Sequence, residues 1–420
     1  MTFCYSVTTI GLLRPTLLPG LTRIRRGPRT IQFGTDAWGA VLVELPDERA
    51  AAVLDLLDGA HTERQVLATA LRRGVRPSDT RELLATLHAS GLVVPAHTLA
   101  TTAPHLRAEA AALALRQAAQ HLSGQWARRG PLPDRRDDRP GSPSVTRPAP
   151  HGSAAVGRGS GLVGSAGENT LGGRGPGQGV AAWEGESGSH PPTSPLTPAE
   201  TLRRRAAARV LVSGRGRLAA PIALTLARSG IGQVRPDLPG TLDPAEAAAA
   251  GLDPAAVGKP RSQAVAAAIA AAGARPGTTK PQVVVRVGAD QPAQLAAAAA
   301  RRRGQAMLSV EVRDGIPEIG PFVPPDGSPC LACRDLHRTD RDPAWPDIAA
   351  GLATSRSEEE ACDLVTIMAA AAFAAGQVLV WTDGGDPVTT ATAVSLVTLA
   401  DLRWRRWPAH PRCSCVRSEF

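Results

Sequence analysis

Six cysteines are spread along the chain, and four of them stand in two close pairs. Cys330 and Cys333 lie in P-C-L-A-C, and Cys413 and Cys415 in H-P-R-C-S-C. If the fold brings such pairs together they make a tetrahedral thiolate site, and zinc is the metal it usually holds. With all four positions taken by protein, no place remains for a water or a substrate, so the metal is structural. Two disulfides or four idle thiols are the alternatives. Disulfides need an oxidising compartment, yet residues 1–19 lack a basic segment and contain Pro15, unlike a secretory signal. A reducing cytoplasm is therefore expected. Cys4 and Cys362 are isolated, and Cys362 sits among apolar residues at helical spacing, as a buried thiol does more often than a nucleophile.

A second constellation lies upstream. R-V-L-V-S ends in G-R-G-R-L-A and continues into A-P-I-A-L-T-L-A-R-S-G. Strand, glycine turn and helix in this order let backbone N–H groups cradle a phosphate at a helix N-terminus. Gly214 supplies the turn and Gly216 the close approach, while Ala219 replaces the third glycine of the fingerprint. Arg215 and Arg217 flank the turn, as anion donors or as surface arginines. Farther on, Lys259 and Arg261 open a helix in G-K-P-R-S-Q-A-V, and Asp290 follows the strand P-Q-V-V-V-R-V. His337 and Asp340 stand beyond the first cysteine pair and read as a partner contact or as a capped, salt-bridged turn. Trp404 and Trp407 precede the second pair and read as packing around the metal.

The elements that must position these residues follow from composition. A 43% hydrophobic chain with 3% aromatics packs mainly through Ala, Val and Leu. Of its 47 basic residues only Lys259 and Lys280 are lysines, a coding bias that weakens any functional reading of the net charge of +9. No basic face with interleaved aromatics argues for nucleic acid, and no uncharged run of 18 apolar residues is seen, so neither a nucleic-acid nor a membrane partner is expected. Residues 123–199 are rich in Gly, Pro, Ser and Arg and bury too little to offset ordering, so they read as a disordered linker. A connecting helix at 105–122 precedes it. Beyond it, from 200 to 420, strands and helices alternate, as in an α/β doubly wound, Rossmann-like sheet with ligands at the strand C-terminal ends.

Before the linker, 10–97 read as a small α+β, winged-helix-like domain. Thr22–Arg26 and Thr30–Gly34 flank the turn R-G-P-R as a hairpin, and Ala40–Leu45 adds a strand. Asp47 caps a first helix stopped by Gly59, Thr62 and Gln65 form a capping box for a second, and Ser78 or Asp79 opens a third. Gly91 leads into the returning strand L-V-V. The runs L-L-D-G-A-H-T-E-R-Q-V and L-L-A-T-L-H-A-S-G-L-V resemble PqqD-type peptide-recognition domains of ribosomal peptide modification systems. The resemblance implies a leader peptide added as a strand at the hairpin edge around Thr30–Gly34, against the helix after Ser78.

The 205–420 region resembles the ThiF/MoeB/HesA superfamily of ubiquitin-activating-type adenylyltransferases. The carriers are the glycine turn, V-G-K-P-R-S-Q-A-V, G-P-F-V-P-P-D-G-S-P-C-L-A-C and H-P-R-C-S-C. That resemblance implies zinc at the cysteine pairs and ATP with Mg at Gly214, Gly216, Arg217, Lys259 and Asp290. It also implies a small protein or peptide as substrate and a homodimer. One departure is informative. After the second strand the family places a ribose-binding acid and an Asn-Leu-x-Arg block; here Q-V-R-P-D-L-P-G-T-L-D has no such block, its two prolines interrupt the strand, and Asp237 is the nearest acid. The two resemblances together imply a leader-binding scaffold that delivers a precursor peptide to a modifying enzyme, as in azole-peptide systems. An active adenylyltransferase is the alternative.

Overall fold

The computed structural model describes residues 12–35, 40–101, 103–129, 197–277, 280–288, 293–325, 327, 329–354 and 360–415. Asp290, Cys4 and nearly all of the expected linker lie outside them. In chain order the N-terminal elements are β1 (Pro15–Leu17), β2 (Arg23–Arg25), β3 (Thr30–Phe33), β4 (Val41–Glu44), α1 (Glu63–Arg72), α2 (Pro77–Ala89), β5 (Val93–Pro95) and α3 (Arg107–Arg129). The C-terminal elements are α4 (Pro198–Ala207), β6 (Arg209–Gly214), α5 (Ala219–Arg228), β7 (Gln233–Asp237), α6 (Pro244–Ala250), α7 (Arg261–Ala271), β8 (Val283–Val287) and α8 (Ala293–Arg302). They continue with β9 (Ala306–Arg313), β10 (Ile316–Val323), α9 (Leu331–Arg341), α10 (Trp345–Thr354), α11 (Leu364–Thr382), β11 (Thr392–Leu396) and β12 (Leu402–Arg406).

The C-terminal half is a seven-stranded mixed sheet in the order β12-β11-β10-β9-β8-β6-β7. β7, β6, β8 and β9 run parallel, and the last three pairings are antiparallel. The wound part expected from the sequence is thus four strands, extended by an antiparallel meander. Alternation along β9 sorts the faces. Ala306, Leu308 and Val310 join α5, α7 and α11 in one apolar core, while Met307 joins α8 and the four paired cysteines in another. Chain order reverses between β6 and β8, so the glycine turn after β6 stands at the point where such sheets bind ligands.

Two expectations change here. Pro236 does not interrupt β7: it pairs opposite Val212 because β7 is the edge of the sheet, where a missing N–H costs little. The uncharged apolar run also exists, as the 19-residue α11 with mean hydropathy 1.9. By length and composition this helix is able to cross a membrane, but Ile367, Ala370, Ala371, Ala374, Ala375 and Val378 of it are built into the core.

At the N-terminus, β2-β3-β4 form an antiparallel sheet and β1 pairs with β5. The expected edge around Thr30–Gly34 is instead its central strand, with β2 and β4 as edges. The returning strand pairs with β1 rather than with the hairpin. Asp47 does cap its helix, accepting from Arg49 N–H, but Glu48–Leu56 is a 3-10 helix. Thr62 and Gln65 form both halves of the capping box, and α2 begins at Pro77.

The described N- and C-terminal elements form one compact unit. Asp314, in left-handed conformation (φ 51°) in the β9–β10 turn, accepts from Thr22 N–H (2.9 Å), Thr35 N–H (2.7 Å) and the Thr35 hydroxyl (2.7 Å). Arg26 pairs with Asp342 through both nitrogens at 3.2 and 2.6 Å. Ile24 packs on Trp345 and Ile348, and α3 lays Ala111, Leu115 and Ala118 against Ala361. Asp314→Ala removes three charge-assisted bonds at once. It should cost about 2–3 kcal/mol of cooperative stability and raise amide exchange at residues 22–35. Unchanged exchange there would show that Asp314 does not hold the module in place.

Candidate functional site

The two cysteine pairs converge. Cys330 precedes the first residue of α9 and Cys333 is in its first turn, while Cys413 and Cys415 come from the segment after β12. The sulfurs of Cys330 and Cys333 are 4.0 Å apart, those of Cys330 and Cys413 3.6 Å, and those of Cys333 and Cys415 3.3 Å. All four are buried, form no disulfide with one another, and have their sulfurs within 4.8 Å. Tetrahedral Zn–S bonds place sulfurs roughly 3.8 Å apart, so the donor set fits a zinc ion. Electrostatics point the same way. A hydrogen bond from Cys330 lowers the Cys333 thiol to about 4, whereas that same contact and burial push Cys330 far up, and burial raises Cys415 to about 11. Four thiolates share this volume only around a cation.

α9 presents Cys333, His337 and Asp340 at i, i+4 and i+7, one face of the helix. This column seats the last cysteine pair. His337 Nε2 contacts Pro408 C=O at 3.0 Å, Asp340 receives His410 Nε2 at 2.8 Å and also the Arg412 guanidinium, and His410 N–H donates to Cys333 Sγ at 3.3 Å. His337, Asp340 and His410 have metal-ligand atoms within 4.8 Å. However, His410 Nδ1 accepts Arg412 N–H at 3.1 Å, so the proton sits on Nε2 and faces Asp340. The trio is a clamp on the knuckle, the salt-bridged turn that was one reading of the sequence. Trp407 is buried, with the guanidiniums of Arg338 and Arg341 5.2 and 5.3 Å from its ring. Trp404, expected to pack, is half exposed instead, because it faces outward from an edge strand.

α9 itself is anchored by buried charge. Arg334 reaches Glu311 at 3.2 Å and Glu318 at 3.7 Å, and Arg338 reaches Glu318 at 3.2 Å. Burial alone would raise Glu311, but Arg313, Arg334 and Arg338 hold it well below the usual carboxylate range. Burial lowers Arg338 to about 9, even sandwiched against Trp345 at 4.6 Å.

The glycine turn is formed. Gly214 (φ 114°) leaves no room for a side chain, since a Cβ would fall 1.9 Å from Val287 C=O. Gly216 (φ 111°) is blocked by something else: its Cβ would fall 2.1 Å from the Glu360 carboxylate, which accepts Arg217 N–H at 2.7 Å. A protein carboxylate thus lies on the turn where the sequence suggested a phosphate. Arg217 is buried and turns its guanidinium onto Cys362 C=O rather than outward. Cys362 is fully buried and burial raises its thiol, as expected for a structural cysteine.

Lys259 is exposed, with its own C=O accepting Leu242 N–H at 2.9 Å. Arg261 instead reaches inward, pairing with the fully buried Glu246 at 2.7 Å. Burial raises both Glu246 and Glu360 to about 7, Arg261 opposing it in each case and Asp243 adding to it. Asp237 ends β7 opposite Ser213, beside the turn, and is exposed. Sequence reasoning missed Glu246 and Glu360, whose only signal is E-E-E before an apolar helix and one acid in an alanine run.

A different concavity lies in the N-terminal module. It measures about 780 Å³ and is lined by Arg23 and Arg25 of β2, Ile31 of β3, and residues 47–55 that include Ala52 and Leu54. Arg23–Asp55 (2.6 Å) and Arg25–Glu48 (2.9 Å) span it as exposed ion pairs. Arg26 N–H to Thr30 C=O and Gly34 N–H to Thr22 C=O point the even-numbered residues of β2 toward β3. Arg23 and Arg25 therefore turn their backbone groups outward.

No family model matches this chain, and no curated protein matches it. Among solved structures, E. coli MccB is similar over 96% of this chain and 96% of its own, with 12% identity and a TM-score of 0.43. E. coli MccB with ATP gives 13% identity over 96% of this chain and 99% of its own, with the same score. The heterocyclase TruD gives 14% identity over 96% of this chain but 42% of its own, with a TM-score of 0.34. Likenesses of this size carry no argument about what this chain does.

Two outcomes follow from the geometry. One zinc per chain should be found, and Cys415→Ser or chelation should remove it and lower the melting temperature by roughly 5–15 °C. Full metal content in Cys415→Ser would sink the four-thiolate site. The raised carboxylates give the second. Folding favours their protonated forms, so their stabilising share is complete below about pH 4.5 and is lost as pH rises through about 7. For Glu246 the loss is at most about 3 kcal/mol. Glu246→Gln and Glu360→Gln should flatten stability between pH 5 and 8 in urea unfolding. Curves parallel to wild type would contradict it.

Proposed function

We propose that this chain is a peptide-capturing scaffold. An extended segment of a precursor peptide adds to the outer edge of β2 and fills the cleft against Glu48–Leu56. The observation that carries this reading is the cleft itself: an edge strand with outward backbone groups beside a concavity of about 780 Å³. Ile31, Ala51, Ala52 and Leu54 give it an apolar floor, and the two ion pairs give it a polar rim. Strand addition draws affinity from main-chain bonds and specificity from alternate side chains, which suits a groove of this composition. The resemblance of residues 10–97 to peptide-recognition domains supports the same reading. The groove differs from the one expected, since its wall is the 3-10 helix and not α2.

The zinc-bearing half then serves as the platform. Adenylation asks for donors around developing phosphate charge, and losing them costs orders of magnitude. Here a carboxylate lies on the turn, Lys259 is exposed to solvent, and the Asn-Leu-x-Arg block is missing. An active adenylyltransferase, with MgATP at Gly214, Gly216, Arg217, Lys259 and Asp290, is not favoured by this arrangement. Docking of a modifying enzyme on the platform completes the proposal.

Two measurements test it. Peptides selected from a displayed library against the zinc-loaded full chain should protect the Arg23 and Arg25 amides from exchange. Ala52→Trp, which fills the cleft, should weaken them at least tenfold. Selected peptides indifferent to Ala52→Trp would rule out this groove. Calorimetric titration of MgATP should give no heat up to millimolar nucleotide. Micromolar binding that Gly216→Trp abolishes would overturn the scaffold reading in favour of the enzyme.

A further inference from the structure

β12 closes the seven-stranded sheet, and among the described residues no strand covers its outer edge. Val397 N–H donates to Asp401 C=O (3.1 Å) and Trp407 N–H to Ala391 C=O (2.8 Å). With Arg403 opposite Ser395 and Arg405 opposite Ala393, these bonds direct the odd-numbered residues inward. Leu402, Trp404 and Arg406 therefore turn their N–H and C=O groups to the outside.

The side chains divide by face. Leu402 (44% exposed) and Trp404 (51%) stand on the side of α11, whose Phe373 ring meets Trp404 edge-on at 6.1 Å. Arg403 and Arg405 stand on the opposite face. Arg405 lies 5.7 Å from the Trp407 ring, and Arg403 makes an exposed pair with Asp401 at 3.0 Å, which exchanges readily for another acid.

This pattern selects its occupant. Antiparallel pairing with a second copy about Trp404 sets Arg403 against Arg405 of that copy, like charge on like charge, the means by which edges resist self-association. A strand that alternates acidic and apolar residues meets no such conflict. We propose that the β12 edge docks an extended acidic polypeptide segment of another protein, its apolar residues over Leu402 and Trp404 and its carboxylates toward Arg403 and Arg405. The edge is pre-set for this, because buried Trp407 and the Cys413–Cys415 knuckle fix the chain just beyond it. The inference is independent of peptide capture at β2.

The test uses zinc-loaded full chain and a fluorescein-labelled heptapeptide, Glu-Val-Glu-Val-Glu-Val-Glu, followed by anisotropy. Saturable binding is expected, weakening several-fold as salt rises from 50 to 300 mM. Arg403→Glu with Arg405→Glu should weaken it at least tenfold and admit the Lys-Val counterpart. N-methylation of alternate residues in one of the two registers should cost at least tenfold, since strand addition needs those N–H groups. Affinity indifferent to both the charge reversal and N-methylation would overturn the proposal. So would tighter binding of a labelled uridine octamer, which would make the surface a nucleic-acid site. A loss caused by Ala52→Trp and not by the β12 variant would place the peptide in the N-terminal cleft, sinking this inference while leaving peptide capture standing.

Discussion

Sulfur atoms 3.3–4.0 Å apart in a buried volume repel one another once ionised, and a cation turns that repulsion into a bond. In this chain such a bond would join two distant segments, the start of α9 and the tail beyond β12. Much of the C-terminal half meets at this point. The clamp of His337, Asp340 and His410 holds the knuckle in register, Trp407 is locked among arginines, and the last strand of the sheet acquires a fixed end. The anchoring continues below α9, where Arg334 and Arg338 are paid for in desolvation but held by Glu311 and Glu318. A helix with two of the four cysteines at its start is in this way tied to the sheet by charge and to the segment after β12 by the clamp.

The glycine turn shows the same economy applied to a different end. Its backbone has the shape that receives an anion, and the anion it receives comes from the chain itself. Glu360 and the fully buried Glu246 are both held near pH 7 by burial, with Arg217 and Arg261 too few to pull them down. While Glu360 stays on the turn, a nucleotide phosphate has no place there. Fold and function are separable, and a glycine turn does not by itself make a nucleotide site.

What the molecule leaves open to partners are strand edges. β2 and β12 belong to different sheets, and each offers outward backbone groups beside an apolar surface. They differ in charge. The β2 cleft balances arginines with Asp55 and Glu48, while β12 carries arginines with one exposed acid for company. Two edges of unlike charge suit two unlike segments, so a scaffold that brings a peptide and a protein together is a coherent use of them.

Local chemistry was enough to read several elements from the sequence. Thr62 with Gln65, Asp47 before its helix, and the β-branched run of β8 act on their immediate neighbours, so their signals survive without knowledge of the fold. Cysteine spacing picked out the four sulfurs that converge for a related reason: only sulfurs at close intervals can share an ion. The rest depended on contacts between residues far apart in the chain. Pro236 is tolerated because tertiary order puts β7 at an edge, and Thr30–Phe33 is denied an edge because β4 pairs on its other side. Glu360 reaches the glycine turn from 143 residues away, and Arg261, rather than Lys259, turns inward because Glu246 is there to meet it. The sequence determined which residues can bend, cap or bind a metal, since those abilities are local. Which of them meet, and so whether a turn holds a nucleotide or its own carboxylate, only the tertiary structure decided, because burial and charge act through space and not along the chain.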